Sequence, residues 1–305
     1  MGLVTAAETG GFEFARSFTF GIGGAESNVA IGAARLGSPV TWFGRVGQDA
    51  AGDLVERRLS AENITTLAIR DPGYTGLMVK HRRFGDRVQV DYHRWCSAGS
   101  RICPEDVPTD VVAAAGILHV TGITPALSDT ARDAVFHAVE IARTAGVTVS
   151  VDVNYRSKLW EAATASGVLR DLVRRADIVF AGPQEARLFV DVAQGDDNAR
   201  LAAALADLGP SEVVIKDGAR GCCALVEGEA LHQAAVAVSV VDPVGAGDAF
   251  VAGYLADHLA GRPPAERLLT AVATGALAVT VPGDCENLPR RDDLAALVSA
   301  EDVAR

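Results

Sequence analysis

The segment 241–250, Val-Asp-Pro-Val-Gly-Ala-Gly-Asp-Ala-Phe, joins a glycine-rich turn to one carboxylate. Gly245 and Gly247 let backbone N–H groups approach a ligand closely, and the positive end of a helix predicted from Ala249 to about Ala260 favours an anion there. Asp248 is then placed to accept a proton from an attacking hydroxyl group, which is general-base chemistry. The segment predicts phosphoryl transfer. The alternative is an ordinary capping turn in which Asp248 accepts helix N–H groups.

A second glycine-rich segment, Gly-Gly-Ala-Glu-Ser-Asn-Val-Ala, occupies residues 23–30. Its two glycines allow close backbone approach, and Gly37 ends the helix that follows them. Asn28 can present both a donor and an acceptor to a polyol. A dinucleotide-binding interpretation fails on spacing, because Glu26 stands where the third glycine of Gly-x-Gly-x-x-Gly belongs.

In this order, about two hundred residues apart, the two segments resemble the paired signatures of the ribokinase-like sugar kinases of the phosphofructokinase-B type. The resemblance extends from about residue 10 to about residue 300. It implies an α/β fold, a ribokinase-like three-layer α/β/α arrangement with a mostly parallel central sheet and a small β-lid. It also implies ATP and Mg²⁺. Asp248 is then the catalytic base, and the N–H groups of Gly245, Ala246 and Gly247 stabilise the transferring phosphoryl group.

The composition of the chain indicates its domain organisation and argues against several classes of partner. The chain has 305 residues, 49% of them hydrophobic, which suits one large α/β domain with an appendage. A net charge of −11 and a pI near 5.0 argue against nucleic acid and anionic membranes as main partners. No leader-like or membrane-spanning segment is evident, and the five cysteines lack metal-ligand spacing, so we expect a cytoplasmic protein with reduced thiols.

Short Val/Ile/Leu runs alternate with Ala-rich stretches of helical length, which is typical of a mostly parallel sheet covered on both faces. The predicted strands are 40–43, 117–120, 147–153, 178–180 and 212–216. The predicted helices are 52–61, 128–145, 167–176, 196–208 and 264–281. We assign residues 23–65 and 99–305 to the core and residues 10–22 and 66–98 to the lid.

The region from Tyr74 to Trp95 breaks the alternation and predicts a hairpin that turns at residues 84–87. Period-two spacing places Tyr92 and Arg94 on one face, together with Val88 and Val90. In the kinases that the chain resembles, such a layer closes over the sugar and excludes water. The alternative is a plain surface hairpin. Its open edge favours a homo-oligomer, a dimer through the lid.

Arginines indicate the substrate. Arg156 follows strand 147–153 at the ligand-facing end of the sheet, where a guanidinium can hold a carboxylate or a phosphate. With residues 92–98 of the lid, this resembles the branch that phosphorylates 2-keto-3-deoxygluconate. The residues that the resemblance places on the sugar acid are Gly24, Asn28, Tyr92, Arg94 and Arg156. Contact of Arg156 with the transferred phosphate stays open, as does a fructose, ribose or nucleoside kinase, or a catalytically silent binding protein.

The nucleotide residues rest on the resemblance. It implies that Lys216, with Gly218 and Gly221 in the turn after strand 212–216, lies along the triphosphate. It implies that adenine lies against the segment 273–282, which includes Ala273 and Gly275.

Metal contacts are implied in the same way. Glu185 corresponds to the acid of the family's Asn-x-x-Glu motif, which organises Mg²⁺ through water, although Gly182 replaces the asparagine. Favourable charge in a first helical turn is the alternative for Glu185. Some relatives bind a monovalent cation near the counterparts of Asp242 and Val244, which the residues alone leave open.

Two departures from the family pattern stand out. Met78 occupies a lid position where relatives often carry an aromatic residue, and it cannot donate a hydroxyl hydrogen bond. Relatives also begin with an apolar strand that ends in Gly-Glu or Gly-Asp. Residues 1–4 of this chain resemble the segment that follows that strand in the relatives. We therefore expect that the start was assigned too late and that a strand precedes Met1.

Overall fold

The computed structural model describes residues 1–84, 87–192 and 197–298. In chain order its elements are β1 (Gly2–Thr9), β2 (Phe18–Ile22), α1 (Ala25–Arg35), β3 (Thr41–Gly47), α2 (Ala50–Ala61), β4 (Thr65–Asp71), β5 (Leu77–Phe84), β6 (Arg87–His93), α3 (Thr109–Ala113), β7 (Ile117–Thr121), α4 (Asp129–Ala145), β8 (Thr148–Asp152), α5 (Ala162–Val173), β9 (Ile178–Ala181), α6 (Pro183–Ala186), α7 (Asn198–Ala206), β10 (Glu212–Lys216), β11 (Cys222–Val226), β12 (Glu229–Gln233), α8 (Ala246–Leu259), α9 (Pro264–Ala278) and α10 (Arg291–Val298).

The chain divides into two compact units. The first consists of residues 1–101, 237–260 and 273–305, and the second of residues 102–236 and 261–272.

Two sheets are described in the first unit. One has the strand order β2-β1-β5-β6, with β1 parallel to β5 and the other pairs antiparallel. The other pairs β3 with β4 in parallel. The core of this unit includes Ile22 and Ile31 with Val55 and Leu59, all at most 1% exposed, because α1, α2 and the strands turn their apolar positions toward one another.

The second unit contains a sheet of strand order β12-β11-β10-β9-β8-β7, in which the strands from β7 to β10 run parallel. Val151, Phe180 and Val214 are fully buried in it. Strands that are covered on both faces read as continuous apolar runs, which is why their positions could be predicted from the sequence.

Element positions agree closely with the sequence predictions where a local signal exists. Strand 212–216 is reproduced as β10, and helix 128–145 as α4, whose N-cap Ser128 accepts the N–H of Ala131. α5 begins five residues earlier than predicted, at Ala162 rather than residue 167, because its alanines extend the helical stretch. The hairpin forms as β5 and β6. The predicted turn of the hairpin includes residues 85–86, which lie outside the described residues. The predicted helix 196–208 starts at residue 196, which also lies outside them.

The sequence did not predict β1. Residues 2–9 lie between β2 and β5, although the assigned lid began at residue 10. Conversely, β4 pairs with β3 rather than with the hairpin, although residues 66–71 were assigned to the lid. Among the described residues, which include all five cysteines, there is no disulfide bond. Within the described ranges, no helix combines the length and apolar character needed to cross a membrane.

Candidate active site

The glycine-rich turn leads directly into α8. Gly245 is the residue before the helix and has φ +83°, a left-handed conformation that favours glycine. A Cβ at this position would overlap the carbonyl oxygen of Asp284, so any larger residue would displace the turn. α8 begins at Ala246, earlier than the predicted Ala249. The first N–H groups of a helix have no partner within it, so this end of α8 can bind an anion.

Asp248 lies in the first turn of α8 and is 8% exposed. Its Oδ2 accepts a hydrogen bond from Nδ2 of Asn28 at 2.8 Å. Asn28 itself is 2% exposed, and its Oδ1 is buried without a hydrogen-bond partner. The structure thus brings the predicted base and the predicted polyol-binding amide together, with one unsatisfied acceptor beside them.

Gly24 sets the start of α1. It has φ +143° and ψ 135°, and its carbonyl oxygen accepts the N–H of Asn28 at 2.8 Å and the hydroxyl of Ser27 at 2.9 Å. Gly24 therefore fixes the turn of the helix on which Asn28 lies. The preceding Gly23 leaves no room for a Cβ, because the side chains of Met78 and Asp284 fill that space. Met78 is buried, 5% exposed.

Tyr92 and Arg94 are in contact, as their predicted common face requires. The guanidinium carbon of Arg94 lies 4.4 Å from the centre of the Tyr92 ring, within cation–π range. Tyr92 lies in β6, and Arg94 follows directly after the strand ends at His93. The ring holds the guanidinium in one orientation, which favours recognition of a planar anion.

In the second unit, Lys216 at the end of β10 is an ion-pair partner. Its Nζ lies 2.8 Å from each carboxylate oxygen of Asp152, whose side chain is 1% exposed. Asp152 ends β8 and also accepts a hydrogen bond from Asn154 at 3.3 Å. Asn154 is buried with φ +39°, a conformation uncommon outside glycine. These contacts fix the chain where it leaves β8 and leads to Arg156, which is exposed.

Glu185 lies in α6 and accepts backbone N–H groups from Gly182 at 2.6 Å and Tyr155 at 3.0 Å. Burial raises the pKa of Glu185, and the charge of Asp152 adds to that rise, whereas Lys216 lowers it. The glycine at residue 182 leaves this contact intact, because only the backbone N–H of that residue is used.

The remaining predicted nucleotide residues have identifiable backbone roles. Gly218 has φ +55° and is exposed, whereas Gly221 has φ +89° and lies so close to the carbonyl of Gln233 that a Cβ would overlap it. In α9, Ala273 is buried, and a Cβ on Gly275 would lie 3.2 Å from the carbonyl oxygen of Ala246. Gly275 therefore allows α9 to pack against the start of α8.

Sequence reasoning missed three charged residues that the structure places in these regions. Asp152 holds Lys216, and Asp284 with Lys80 lies beside the Gly245 turn. The signal for Asp152 was present, since a carboxylate ends a buried parallel strand. The burial of Lys80 could not be predicted from its neighbours in the sequence, because a lysine in an alternating hairpin strand is expected to be exposed.

Glu185 was expected to organise a metal ion indirectly, through water. Among the residues that the structure describes, no group of three or more His, Cys, Asp or Glu side chains could hold a metal ion. The indirect metal role expected for Glu185 therefore stays a prediction.

Comparison with known proteins agrees with this chemistry. The model of the pfkB family carbohydrate kinases matches residues 10–291. The chain is 36% identical to a 2-dehydro-3-deoxygluconokinase of Bacillus subtilis (strain 168), over 99% of this chain and 94% of that protein. It is also 36% identical to a fructokinase of Klebsiella pneumoniae, over 89% of this chain and 90% of that protein.

Among solved structures, it superimposes on a protein from Escherichia coli described as a ribokinase II and solved with ATP and Mg²⁺. The TM-score is 0.89 at 25% identity, covering 97% of this chain and 95% of that chain. The predicted ribokinase-like fold is confirmed.

Proposed function

Because the chain belongs to the pfkB family of carbohydrate kinases, we propose that it phosphorylates 2-keto-3-deoxygluconate, the same compound as 2-dehydro-3-deoxygluconate. The γ-phosphoryl group of ATP passes to the terminal hydroxyl, giving 2-keto-3-deoxy-6-phosphogluconate and ADP. The substrate is taken from the Bacillus subtilis relative, which spans nearly the whole chain. The single observation that carries the chemistry is the Asn28–Asp248 hydrogen bond at the start of α8.

Asp248 accepts the proton of the terminal hydroxyl as the acceptor oxygen attacks phosphorus. Asn28 holds the carboxylate in one orientation and uses its unsatisfied Oδ1 to accept a hydrogen bond from the sugar. The N–H groups of Gly245, Ala246 and Gly247 donate to the phosphoryl oxygens, on which charge is spread during transfer. These roles account for the turn, the helix start and the buried pair together.

The acid end of the substrate requires a cation. We assign the carboxylate to Arg94, because the Tyr92 ring orients its guanidinium, and to Arg156, which is exposed after β8. Gly24 supplies backbone to the same ligand.

For the nucleotide we assign Lys216, Gly218 and Gly221 to the phosphates and Ala273 and Gly275 to adenine. Asp152 holds the ammonium of Lys216 by both oxygens and so sets its position. Glu185 would hold Mg²⁺ indirectly, through its water shell, and the ion would supply positive charge against the charge that develops on the phosphates. The Escherichia coli structure with ATP and Mg²⁺ supports ATP as the phosphoryl donor and Mg²⁺ as its metal ion.

The proposal also includes a cytoplasmic location and a dimeric assembly. Five cysteines without a disulfide bond among the described residues fit a reducing compartment, which supports the cytoplasm. A dimer through the β2-β1-β5-β6 sheet is supported by exposed aromatic side chains in the sheet and in the connection between β1 and β2. Phe18, Phe20 and Phe84 lie in the sheet, Phe12 and Phe14 lie in the connection, and each is at least 43% exposed.

The test is ADP release by the purified protein with ATP and Mg²⁺. The panel contains 2-keto-3-deoxygluconate, its C4 epimer, gluconate, fructose, ribose and adenosine. We expect kcat/KM for a 2-keto-3-deoxy sugar acid to exceed that for each neutral compound by about 100-fold or more, since only an acid can form charge-assisted hydrogen bonds with Arg94 and Arg156. NMR of the product locates the phosphate on the terminal carbon.

Fructose is the rival that a specific observation favours, because the Klebsiella pneumoniae fructokinase is equally identical over a slightly shorter region. Higher kcat/KM for fructose than for the acids would replace our assignment. Nucleotide binding without ADP release on any compound would indicate a silent binding protein.

A further inference from the structure

Lys80 is a charged side chain in the interior of the first unit. It lies in β5, its side chain is 3% exposed, and its Nζ contacts three oxygens. These are Oδ2 of Asp242 at 2.6 Å, Oδ1 of Asp284 at 3.0 Å and the carbonyl oxygen of Gly283 at 3.2 Å. A lysine on a hairpin strand is ordinarily solvated, so this burial requires an explanation.

One of the two carboxylates that hold Lys80, that of Asp242, also accepts backbone N–H groups next to the anion-binding turn. Asp242 accepts the N–H of Val244 through Oδ1 at 3.2 Å and the N–H of Gly283 through Oδ2 at 3.2 Å. The backbone carbonyl oxygen of Asp284 fills the space that a Cβ on Gly245 would need.

Arg82, two residues after Lys80 in β5, adds a hydrogen bond to the carbonyl of Val241 at 2.7 Å. β5 therefore contacts the segment before the turn twice, through Lys80 at Asp242 and through Arg82 at Val241.

The charges explain why Lys80 stays protonated. Burial alone would lower the pKa of Lys80, but Asp284 and Asp242 overcome this and raise it. Two carboxylates face one ammonium, so a negative charge remains, and burial raises the pKa of Asp284. Removal of the ammonium would leave two buried like charges within reach of each other, which proteins avoid.

A small monovalent cation is bound in the same way, by several oxygen atoms placed around one positive charge. We propose that the ammonium group of Lys80 is a built-in cation that positions the Gly245–Gly247 turn, so that this chain transfers phosphoryl groups without an added monovalent ion. This inference rests on the proposed kinase function. It assigns the Lys80 ammonium to the position near Asp242 and Val244 where the sequence left a monovalent cation open. Lys80 is a positioning residue, since it acts on the reacting groups through Asp242 and Asp284.

The first experiment uses the unmodified protein. Rates of ADP release are measured in choline, sodium, potassium and ammonium chloride at constant ionic strength. We expect kcat and the KM for ATP to agree within about twofold across the four salts, because a filled site leaves no room for added ion. Activation of about tenfold or more by potassium or ammonium over choline would overturn the proposal.

The second experiment opens the site. Lys80→Ala removes the ammonium and leaves space, whereas Lys80→Met fills the space without charge. In choline chloride both variants should lose about 100-fold in kcat, the scale expected when a catalytic group moves by about 1 Å. Potassium, ammonium or methylammonium should restore at least a tenth of the lost activity in Lys80→Ala and little in Lys80→Met. Arg83→Ala, which removes an exposed cation from the same strand, is the matched control and should behave as wild type.

A readout without catalysis separates this inference from the proposed function. The melting temperature of Lys80→Ala should rise with potassium relative to choline, whereas that of wild type should not. If the protein phosphorylates no sugar but this difference appears, the proposed function fails and the built-in cation stands. Full activity of Lys80→Ala in choline overturns the inference. If Lys80→Ala does not fold in any salt, the wild-type salt series decides alone.

Discussion

Nδ2 of Asn28 lies 2.8 Å from Oδ2 of Asp248, although the two residues are 220 positions apart in the chain. This hydrogen bond connects the first turn of α1 to the first turn of α8. Each residue was a candidate on its own, Asn28 as a sugar ligand and Asp248 as a base. Their contact makes them one functional pair, because the donor orients the carboxylate and keeps an acceptor free for the substrate.

Asp248→Asn is expected to lower kcat by about 10²- to 10⁴-fold and to leave the dissociation constant of ATP unchanged, since the amide keeps the shape but cannot accept a proton as a base. Steady-state kinetics and calorimetric ATP titration measure the two quantities. Asp257→Asn is the control, because Asp257 lies in the same helix and pairs with Arg291 at 2.6 Å. It should lower thermal stability and spare kcat. A wild-type rate for Asp248→Asn would contradict the assigned base.

Asn28→Ala is expected to lower kcat/KM for the sugar acid by about 10- to 150-fold, because it removes a hydrogen bond to a charged group, worth about 1.5–3 kcal/mol. In a double-mutant cycle, the same change should cost much less in the Asp248→Asn background. Equal losses in both backgrounds would show that the pair does not act as a unit.

Arg94→Ala is expected to raise the KM for the sugar acid by about 10- to 100-fold with little change in kcat, since a charge-assisted contact made equally in ground and transition states is lost. Activity on neutral sugars should not fall. Tyr92→Leu is the companion variant, because it removes the ring 4.4 Å from the guanidinium and should give a smaller change in the same direction. A uniform loss on acids and neutral sugars would argue against acid recognition by Arg94.

Glu185→Gln tests the half-buried carboxylate of α6. Burial and Asp152 raise the pKa of Glu185, so the folded protein holds this proton more tightly than the unfolded chain. The resulting stabilisation is present below the unfolded pKa and is lost as the pH rises through the folded value. The melting temperature of Glu185→Gln relative to wild type should therefore rise from acidic to neutral pH. A constant difference across that range would contradict the shift.

The sequence by itself determined the parts that depend on local chemistry. The turn at Gly245 and the start of α1 at Gly24 could be predicted because left-handed backbone and close approach require glycine at particular positions. β8 to β10 could be predicted because strands buried on both faces need continuous apolar residues.

Only the tertiary structure decided which charges meet. Lys216 pairs with Asp152 across 64 positions, and Lys80 with Asp284 across 204, and neither contact leaves a periodic trace in the sequence. β1 was missed for the same reason, because its place between β2 and β5 depends on distant strands. Side-chain pairing between remote elements is set by packing of the whole chain, whereas propensity and periodicity report only a residue's near neighbours.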